Sequence, residues 1–421
     1  MLSKADNERL TRVGPGTPMG ELFRRFWMPA LLSEEIAERD GAPVRLRLLG
    51  EDLVAFRDTQ GRVGIVDAYC AHRRAGLFFG RNEDCGLRCV YHGWKFDVDG
   101  VCVDMPAEPQ GMTAATKVRI KAYKTAERNG VIWVYMGAPE HEPALPDFEW
   151  SRLPERQHTA TKRLQQCNWA QAVEGGIDSS HISFLHSRTE KSGGPSNKYH
   201  ASDKHPVFEV QETDYGLLIA ARRNAEPGTY YWRVTQFLLP FYSMIPPVGD
   251  FPESSREPYD GHAWVPIDDE TTWTWSFSAS PVRAYDDKEL AFRGGREGFW
   301  GPVDHEFKPL LNRDNDYRID RERQRGANFT GIEGIPNQDA AVQESMGPIV
   351  DRTKERLGAS DRGVVQFRRL MLRLARELEE GTAPAAASNG NLYNVRSASL
   401  LLPADVPVAT GAAPLLAGAA S

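Results

Sequence analysis

Two short Cys–His pairs constrain this chain of 421 residues more than any other feature. Cys70-Ala71-His72 and Cys89-Val90-Tyr91-His92 each place a thiol beside an imidazole, and sixteen residues separate His72 from Cys89. Zinc is one reading, because two Cys and two His complete a tetrahedral site. Zinc modules usually group Cys with Cys and His with His, whereas here the order alternates. Alternation suits a [2Fe–2S] cluster in which one iron takes both thiolates and the other both imidazoles. The segment Tyr91-His92-Gly93-Trp94-Lys95-Phe96-Asp97 then runs into a hairpin turning at Asp97–Gly100, which would hold the second loop rigidly. The three remaining cysteines, Cys85, Cys102 and Cys167, are too few for a disulfide framework and read as small buried apolar groups.

The rest of the chain reads as four stretches. Residues 1–40 look like a helical lead-in, broken by Gly14, Pro15, Gly16 and Pro18. Short strands with turn residues between them fill 41–140 and carry the Cys–His pairs, and the Pro-rich, acidic run 138–150 reads as a connector. Within 141–381, NWAQAVEGGIDSSHISFLH has helical character interrupted by Gly175-Gly176. VFEVQE, LLIAARR, YYWRVTQFLL, GHAWVPI and TTWTWSFSAS follow as one antiparallel meander. Val364, Phe367, Leu370, Met371, Leu374 and Leu378 recur at helical spacing, and that helix should stop at Gly381. Residues 382–421 form an Ala/Pro-rich tail, either loosely ordered or draped over a partner. The expectation is an α+β chain of two domains.

A net charge of −7 argues against nucleic acid, which needs an excess of Lys and Arg. No apolar run reaches the roughly 18 residues of a membrane-spanning helix. The N-terminus lacks the apolar core of an export signal, so a cytoplasmic location is expected. A second site is suggested by Asp178, His181 and His186. Asp178 and His181 are three apart and would share a helix face, but His186 lies off it, so the helix must end or distort for the imidazoles to converge. Two neighbouring histidines are commonly structural.

The stretch CAHRRAGLFFGRNEDCGLRCVYHGWKFDVDG resembles the Rieske domain of aromatic ring-hydroxylating oxygenases, most nearly the phthalate 4,5-dioxygenase-like group. The likeness begins at Val13-Gly14-Pro15-Gly16-Thr17-Pro18-Met19-Gly20 and runs to about residue 370, leaving the tail outside. It implies an N-terminal all-β domain holding a Rieske [2Fe–2S] cluster on Cys70, His72, Cys89 and His92. It also implies a C-terminal catalytic domain of helix-grip, START-like type with a large antiparallel sheet and helices. The pattern Asp-x-x-His-x-x-x-x-His matches what this family uses for mononuclear Fe(II), giving His181 and His186 as ligands and Asp178 as a hydrogen-bonded bridge to the cluster of a neighbouring subunit. The carboxylate completing a facial triad would be Asp339, by family position rather than spacing. An Asp there is ordinarily a helix N-cap, and Asp351 is its local competitor. Glu174 departs from the pattern, since several relatives carry Asn there.

The function so implied is that of a terminal oxygenase using O2 to hydroxylate, and most typically cis-dihydroxylate, an aromatic carboxylate such as phthalate or a substituted benzoate. Electrons would come from a separate NAD(P)H-dependent reductase carrying flavin and iron–sulfur centres, because the chain has no Gly-rich nucleotide fingerprint. Carboxylates favour bidentate Arg partners, which makes Arg222, Arg223 and Arg233 candidates, with Ser179 and Ser180 beside the bridging Asp. Phe237, Phe241, Tyr242 and Trp273 would be aromatic walls or core. Two alternatives stand beside this reading: a monooxygenase or O-demethylase of the same family, and an electron-transfer Rieske protein without oxygenase chemistry. The resemblance also implies a homotrimer or homohexamer.

Overall fold

The computed structural model describes residues 2–109, 117–188, 198–247 and 258–418. Helices α1 (Lys4–Thr11) and α2 (Pro18–Phe23) open the chain, each started by a hydroxyl cap: Ser3 accepts from the Asp6 N–H and Thr17 from the Gly20 N–H. Six strands then form one antiparallel sheet. They are β1 (Trp27–Leu32), β2 (Val44–Leu48), β3 (Glu51–Arg57), β4 (Val63–Asp67), β9 (Ala122–Arg128) and β10 (Val131–Tyr135), in the order β1-β10-β9-β4-β3-β2. Inserted between β4 and β9 is a small sheet of β5 (Arg81–Glu83), β6 (Gly86–Arg88), β7 (Lys95–Phe96) and β8 (Cys102–Asp104), which pair in sequence. A compact apolar cluster of Val54, Phe56, Leu77, Leu87 and Phe96 backs this insert, and Cys70 and Cys89 belong to it.

The second domain is built on an eight-stranded antiparallel sheet. Its strands are β11 (His158–Gln165), β12 (Val207–Thr213), β13 (Gly216–Asn224), β14 (Thr229–Leu238), β15 (Tyr242–Ile245), β16 (Tyr259–Pro266) and β17 (Thr272–Ala279), in the order β11-β17-β16-β15-β14-β13-β12. The eighth, β18 (Ala398–Pro403), pairs with the first half of β14. The meander read from the sequence is therefore present, with β11 returning to the far edge. Helices α3 (Trp169–Ile177), α4 (Lys198–Ser202), α5 (Asp287–Gly294), α6 (Arg321–Gly326), α7 (Ile335–Ser345), α8 (Arg362–Glu379), α9 (Val408–Gly411) and α10 (Ala413–Leu416) complete it. α3 and α8 lie on one face of the sheet: Ser243 Oγ donates to the Gly176 carbonyl, and Phe237 meets Phe367 edge to face at 5.0 Å. The α8 stripe expected from helical spacing, Val364, Phe367, Leu370, Met371 and Leu374, is buried there.

Three expectations are corrected. The lead-in is not helical to residue 40, because Trp27–Leu32 is β1, paired with β10. All six of its residues are buried, so it lacks the alternation that marks a half-exposed strand. Gly175-Gly176 does not interrupt α3 but lies inside it. A Cβ on Gly176 would come within 1.9 Å of the Trp264 ring, and one on Gly175 within 2.1 Å of Gln343 Nε2, so the two glycines let α3 press against sheet and α7. As far as residue 418 the tail packs into the fold. Tyr393 donates to the Leu239 carbonyl at 2.6 Å, Ser399 to the Pro247 carbonyl at 2.7 Å, and Leu400 and Leu402 pack on Trp232 and Val234. Among the described residues no helix is long and apolar enough to cross a membrane.

Candidate metal centres

The two Cys–His loops are built alike. Cys70 N–H donates to the Ala75 carbonyl and Arg74 N–H to the Cys70 carbonyl, both at 2.9 Å. Cys89 N–H donates to the Trp94 carbonyl at 2.8 Å and Gly93 N–H to the Cys89 carbonyl at 2.9 Å. The residue four beyond each Cys is left-handed, Arg74 at φ 58° and Gly93 at φ 77°, so each loop folds its imidazole back over its thiol. The His72 and His92 rings approach to 4.5 Å, and Trp94 stacks on His72 at 4.7 Å. Both thiols are buried; burial first, and then Cys89, push Cys70 up to about 11, a cost that iron ligation would remove. His72 Nδ1 is buried without a hydrogen-bond partner. An orphaned imidazole nitrogen beside two close thiols fits a cluster held by Cys70, His72, Cys89 and His92.

The second site forms where α3 ends. Asp178 caps its C-terminus and gathers the next turn: Oδ1 accepts from Ser180 N–H at 2.7 Å and Ser180 Oγ at 2.6 Å, and Oδ2 from His181 N–H at 3.2 Å. A 3₁₀ turn, His181–Ser183, follows. The shared helix face expected for Asp178 and His181 is thus replaced by a cap and a turn, which swings both imidazoles inward. His181 Nδ1 lies 3.3 Å from Asp178 Oδ2, and His186 Nδ1 lies 2.8 Å from Gln338 Oε1. Gln338 donates its Nε2 to the Ile332 carbonyl, which turns Oε1 to the histidine. Both Nδ1 atoms therefore carry the proton, and both bare Nε2 atoms face each other at 3.2 Å. Asp339, in the second turn of α7, brings Oδ1 to 3.7 Å from His181 Nε2 and 3.3 Å from His186 Nε2.

Two imidazole nitrogens and a carboxylate oxygen around one point suit a cation between them, so this arrangement fits a divalent metal on His181, His186 and Asp339. Burial opposes the charge on Asp339, but the two imidazoles hold its carboxyl below the usual range. Asp178 is likewise held low against burial by hydrogen bonds from His181 and Ser180. Asp339 is not the N-cap of α7, a place taken by Gly334, and Asp351 is outside the site, paired with Lys354.

Comparison with known proteins bears on the whole chain. The Rieske [2Fe-2S] domain family matches residues 26–124, and the family described as LigXa C-terminal domain like matches residues 134–402. The phthalate 4,5-dioxygenase oxygenase subunit of Pseudomonas putida is 43% identical over 88% of this chain and 86% of the relative. The 3-chlorobenzoate-3,4-dioxygenase oxygenase subunit of Comamonas testosteroni is 40% identical over 95% of both chains. This chain belongs to the Rieske aromatic ring-hydroxylating oxygenases, as an alpha subunit. Dicamba monooxygenase with 3,6-dichlorosalicylic acid bound shares the fold, with a TM-score of 0.62 at 19% identity over 86% of the oxygenase and 99% of that chain. Because the second family match reaches residue 402, the likeness does not stop near 370, and most of the tail lies within it. The electron-transfer alternative gives way to an oxygenase subunit.

The oxygenase's remaining candidates separate by strand face. Arg222 and Arg223 are neighbours on β13 and point to opposite sides. Arg222 stacks over Tyr230 at 4.3 Å, on the strand face opposite Arg223. Arg223 is buried and donates to the Ser179 carbonyl at 2.5 Å, to Ser179 and Ser183 hydroxyls at 3.4 and 3.5 Å, and to the Asp203 carbonyl at 3.2 Å. It pins the turn that carries His181, and Ser179 is its partner rather than a free group. Ser180 is engaged by Asp178. Arg233, on β14 and 3% exposed, donates among the described residues only to the Pro246 and Pro247 carbonyls, and its Nε has no partner among them. Phe237, Phe241 and Tyr242 are core residues, and Trp273 lies under Lys162. Sequence reasoning missed Gln338. A lone Gln on an otherwise ordinary helix carries no spacing signal.

Proposed function

We propose that this oxygenase hydroxylates an aromatic carboxylate, adding both oxygen atoms of O2 as a cis-diol, with electrons from an NAD(P)H-dependent reductase that carries flavin and iron–sulfur centres. When bound, the [2Fe–2S] cluster on Cys70, His72, Cys89 and His92 supplies single electrons, and Fe(II) on His181, His186 and Asp339 supplies dioxygen activation. The chain's residues do the rest. Asp178 and Gln338 fix the tautomer and aim of the two ligand imidazoles, and Arg223 braces the turn between them.

The observation that carries the carboxylate reading is Arg233. A buried guanidinium without a carboxylate partner is costly, and neither Arg233 nor Arg223 forms an ion pair among the described residues. Arg233 also lies near His181: burial and, last, the Arg233 charge oppose protonation of an imidazole whose pKa Asp178 and Asp339 raise overall. An anionic substrate group would neutralise Arg233 through a bidentate pair.

The test is oxygen uptake by anaerobically purified enzyme with two kinds of iron counted, a reductase added, and a panel of aromatic acids and their methyl esters. Acids should drive uptake and esters should not. Arg233→Leu should weaken acid binding by about a hundredfold. Esters consumed as readily as acids would overturn the reading. Product analysis separates the two chemistries, since a diol marks dioxygenation and a phenol with formaldehyde marks demethylation.

A further inference from the structure

β11 is an edge of the second domain's sheet, and its register with β17 fixes which of its main-chain groups point outward. The Ser280 N–H donates to the Gln157 carbonyl at 2.8 Å, which makes the odd-numbered residues of β11 the ones that exchange hydrogen bonds with β17. His158, Ala160 and Lys162 therefore turn their N–H and C=O groups away from the sheet. The outward edge is closed at both ends. The Arg156 carbonyl accepts from the Tyr285 N–H at 2.7 Å, and the Leu164 N–H donates to the Phe307 carbonyl at 2.9 Å. Between these two stops, His158, Ala160 and Lys162 make no outward main-chain hydrogen bond among the described residues. A strand running along this edge would have to displace Tyr285 or Phe307, so the window suits a small ligand rather than a chain.

A cavity of about 270 Å³ lies against this window, at the junction of the two domains. Glu34, just after β1, and Asn129, in the turn from β9 to β10, line it from the first domain; Thr159 and Ala160 of β11, Arg296 and Phe307 line it from the second. None of the proposed metal ligands is among its walls. Thr159 is 8% exposed, and its buried hydroxyl has no hydrogen-bond partner among the described residues. A buried polar group left unpaired is costly, and a ligand in the cavity would remove that cost. The charges around the cavity are already matched. Arg296 donates to Glu34 at 3.4 Å and to the Asp304 carbonyl at 3.0 Å, and its guanidinium lies 4.2 Å from the Phe307 ring. Lys162, 4.8 Å from the same ring, is paired with Glu35 at 2.6 Å. The site thus favours a neutral ligand over an ion.

We propose that this junction is a second small-molecule site, separate from the metal centres, that takes a neutral planar amide: a primary carboxamide or a cis-lactam. The N–H and C=O of one extended residue project side by side towards the same edge. A cis-amide presents C=O and N–H side by side in return, so one ligand group accepts from the Ala160 N–H and donates to the Ala160 carbonyl. The ligand carbonyl keeps a second lone pair, which the Thr159 hydroxyl can use. A ketone or an N-alkylated lactam fills only the acceptor half and leaves the Ala160 carbonyl unpaired. A carboxylate sets two acceptors against one donor and one acceptor, and gains little from a guanidinium already held by Glu34. The volume is at the small end for ligand pockets and suits a molecule of one or two rings. Because the walls belong to both domains, a bound amide also braces their junction. The site is independent of the carboxylate reading above.

The test uses the full-length holoenzyme under anaerobic conditions, with binding measured by calorimetry and located by hydrogen exchange. The probes are the lactam oxindole, its N-methyl derivative, and 2-indanone, which replaces the N–H by carbon. Oxindole should bind about tenfold tighter than either control. It should also slow amide exchange across residues 156–164, and the controls at the same concentration should slow it less. Thr159→Val keeps the shape of the side chain and removes the hydroxyl, and it should weaken oxindole about fivefold. No measurable oxindole binding, equal affinity for oxindole and its N-methyl derivative, or undiminished affinity in Thr159→Val overturns the proposal. Protection of residues 176–186 in place of 156–164 would put the amide at the His-His-Asp site and overturns it as well. If Thr159→Val does not fold, the three probes and the exchange map on the wild-type enzyme decide alone.

Discussion

Asp178 accepts hydrogen bonds through both oxygens, from Ser180 and from His181, while its carboxylate remains about one-fifth exposed beside the metal ligands. The first set of bonds builds the turn; the exposed part is free to accept from a group outside the chain. In Asp178→Asn the size is kept, but the side chain loses its charge, and its amide end cannot accept the His181 Nδ1 proton. Both metals should remain bound, because no proposed ligand is changed. Electron passage through this position should slow at least tenfold. Rapid mixing of the reduced variant with oxygen and substrate, followed at the cluster's visible bands, checks this; wild-type cluster oxidation coupled to product formation would sink the bridge role. The contrast with Gln338 is instructive. Both groups orient an imidazole, but Gln338 is buried and engaged at both ends, so its loss should affect iron retention rather than electron delivery.

Helix α3 shows how an element can be half legible. Its start was readable, with Asn168 opening the helical segment, but its finish was not, since Asp178 caps the helix where a face shared with His181 was expected. Its middle was not, because Gly175 and Gly176 are breakers in sequence yet mark close approach in space. The ligand loops were legible because four donors sit within one short stretch and carry their chemistry with them. Asp339 was not legible from spacing, because the fold alone brings α7 to α3. Strand β18, written in Ala, Ser and Leu, looked like a loose tail because its apolar residues find a partner only on β14. Glu174, one turn before Asp178, belongs to the same element. It accepts from Arg368 at 2.7 and 3.0 Å and from Arg352 at 3.1 Å; Arg352 also donates to Asn7 of α1 at 2.9 Å, so one carboxylate ties α1, α3 and α8. Replacing it leaves the buried Arg352 without a carboxylate, while Arg368 keeps its pair with Glu355, and Glu174→Gln should cost about 3 kcal/mol. Burial raises the Glu174 pKa but the arginines lower it further, so the folded value is depressed. Its stabilisation is present above the unfolded carboxyl pKa of about 4.3 and is lost as pH falls through the folded value. Denaturant titrations of wild type and variant should converge in acid and separate towards neutral pH; parallel curves at all pH values would mean that the network is not ionic.

Across the whole molecule the two candidate metal sites belong to different cores. β1 and β10 share one apolar core with α1, α2, α3 and α8, and Tyr242 of the second domain donates to the Trp27 carbonyl at 3.2 Å. The Cys–His loops are instead backed by the small cluster around Phe56, Leu87 and Phe96, on the inserted sheet. Around the loop tips, Tyr69, Phe79, Val90 and Tyr91 are 36–66% exposed. Beside the His-His-Asp site, Phe184 and Phe329 are 45% and 58% exposed and meet each other at 6.0 Å. One apolar surface surrounds the Cys–His loops and a different one flanks the His-His-Asp site. A contact between two unlike patches of identical chains is heterologous, and it closes into a ring when the rotation fits. We predict a ring of three, or two such rings stacked, in which the Tyr91 face of one chain covers the Phe184 face of the next. Light scattering should then give three or six times 47.1 kDa. Tyr91→Asp places a charge in that contact without replacing a proposed ligand, although it removes the ring that meets His92 at 3.9 Å. It should dissociate the ring and uncouple cluster oxidation from product formation, while the cluster's spin-resonance signal survives. If the wild-type chain is a monomer with full reductase-driven turnover, the ring is wrong. If Tyr91→Asp leaves both mass and coupling unchanged, this face is not the contact.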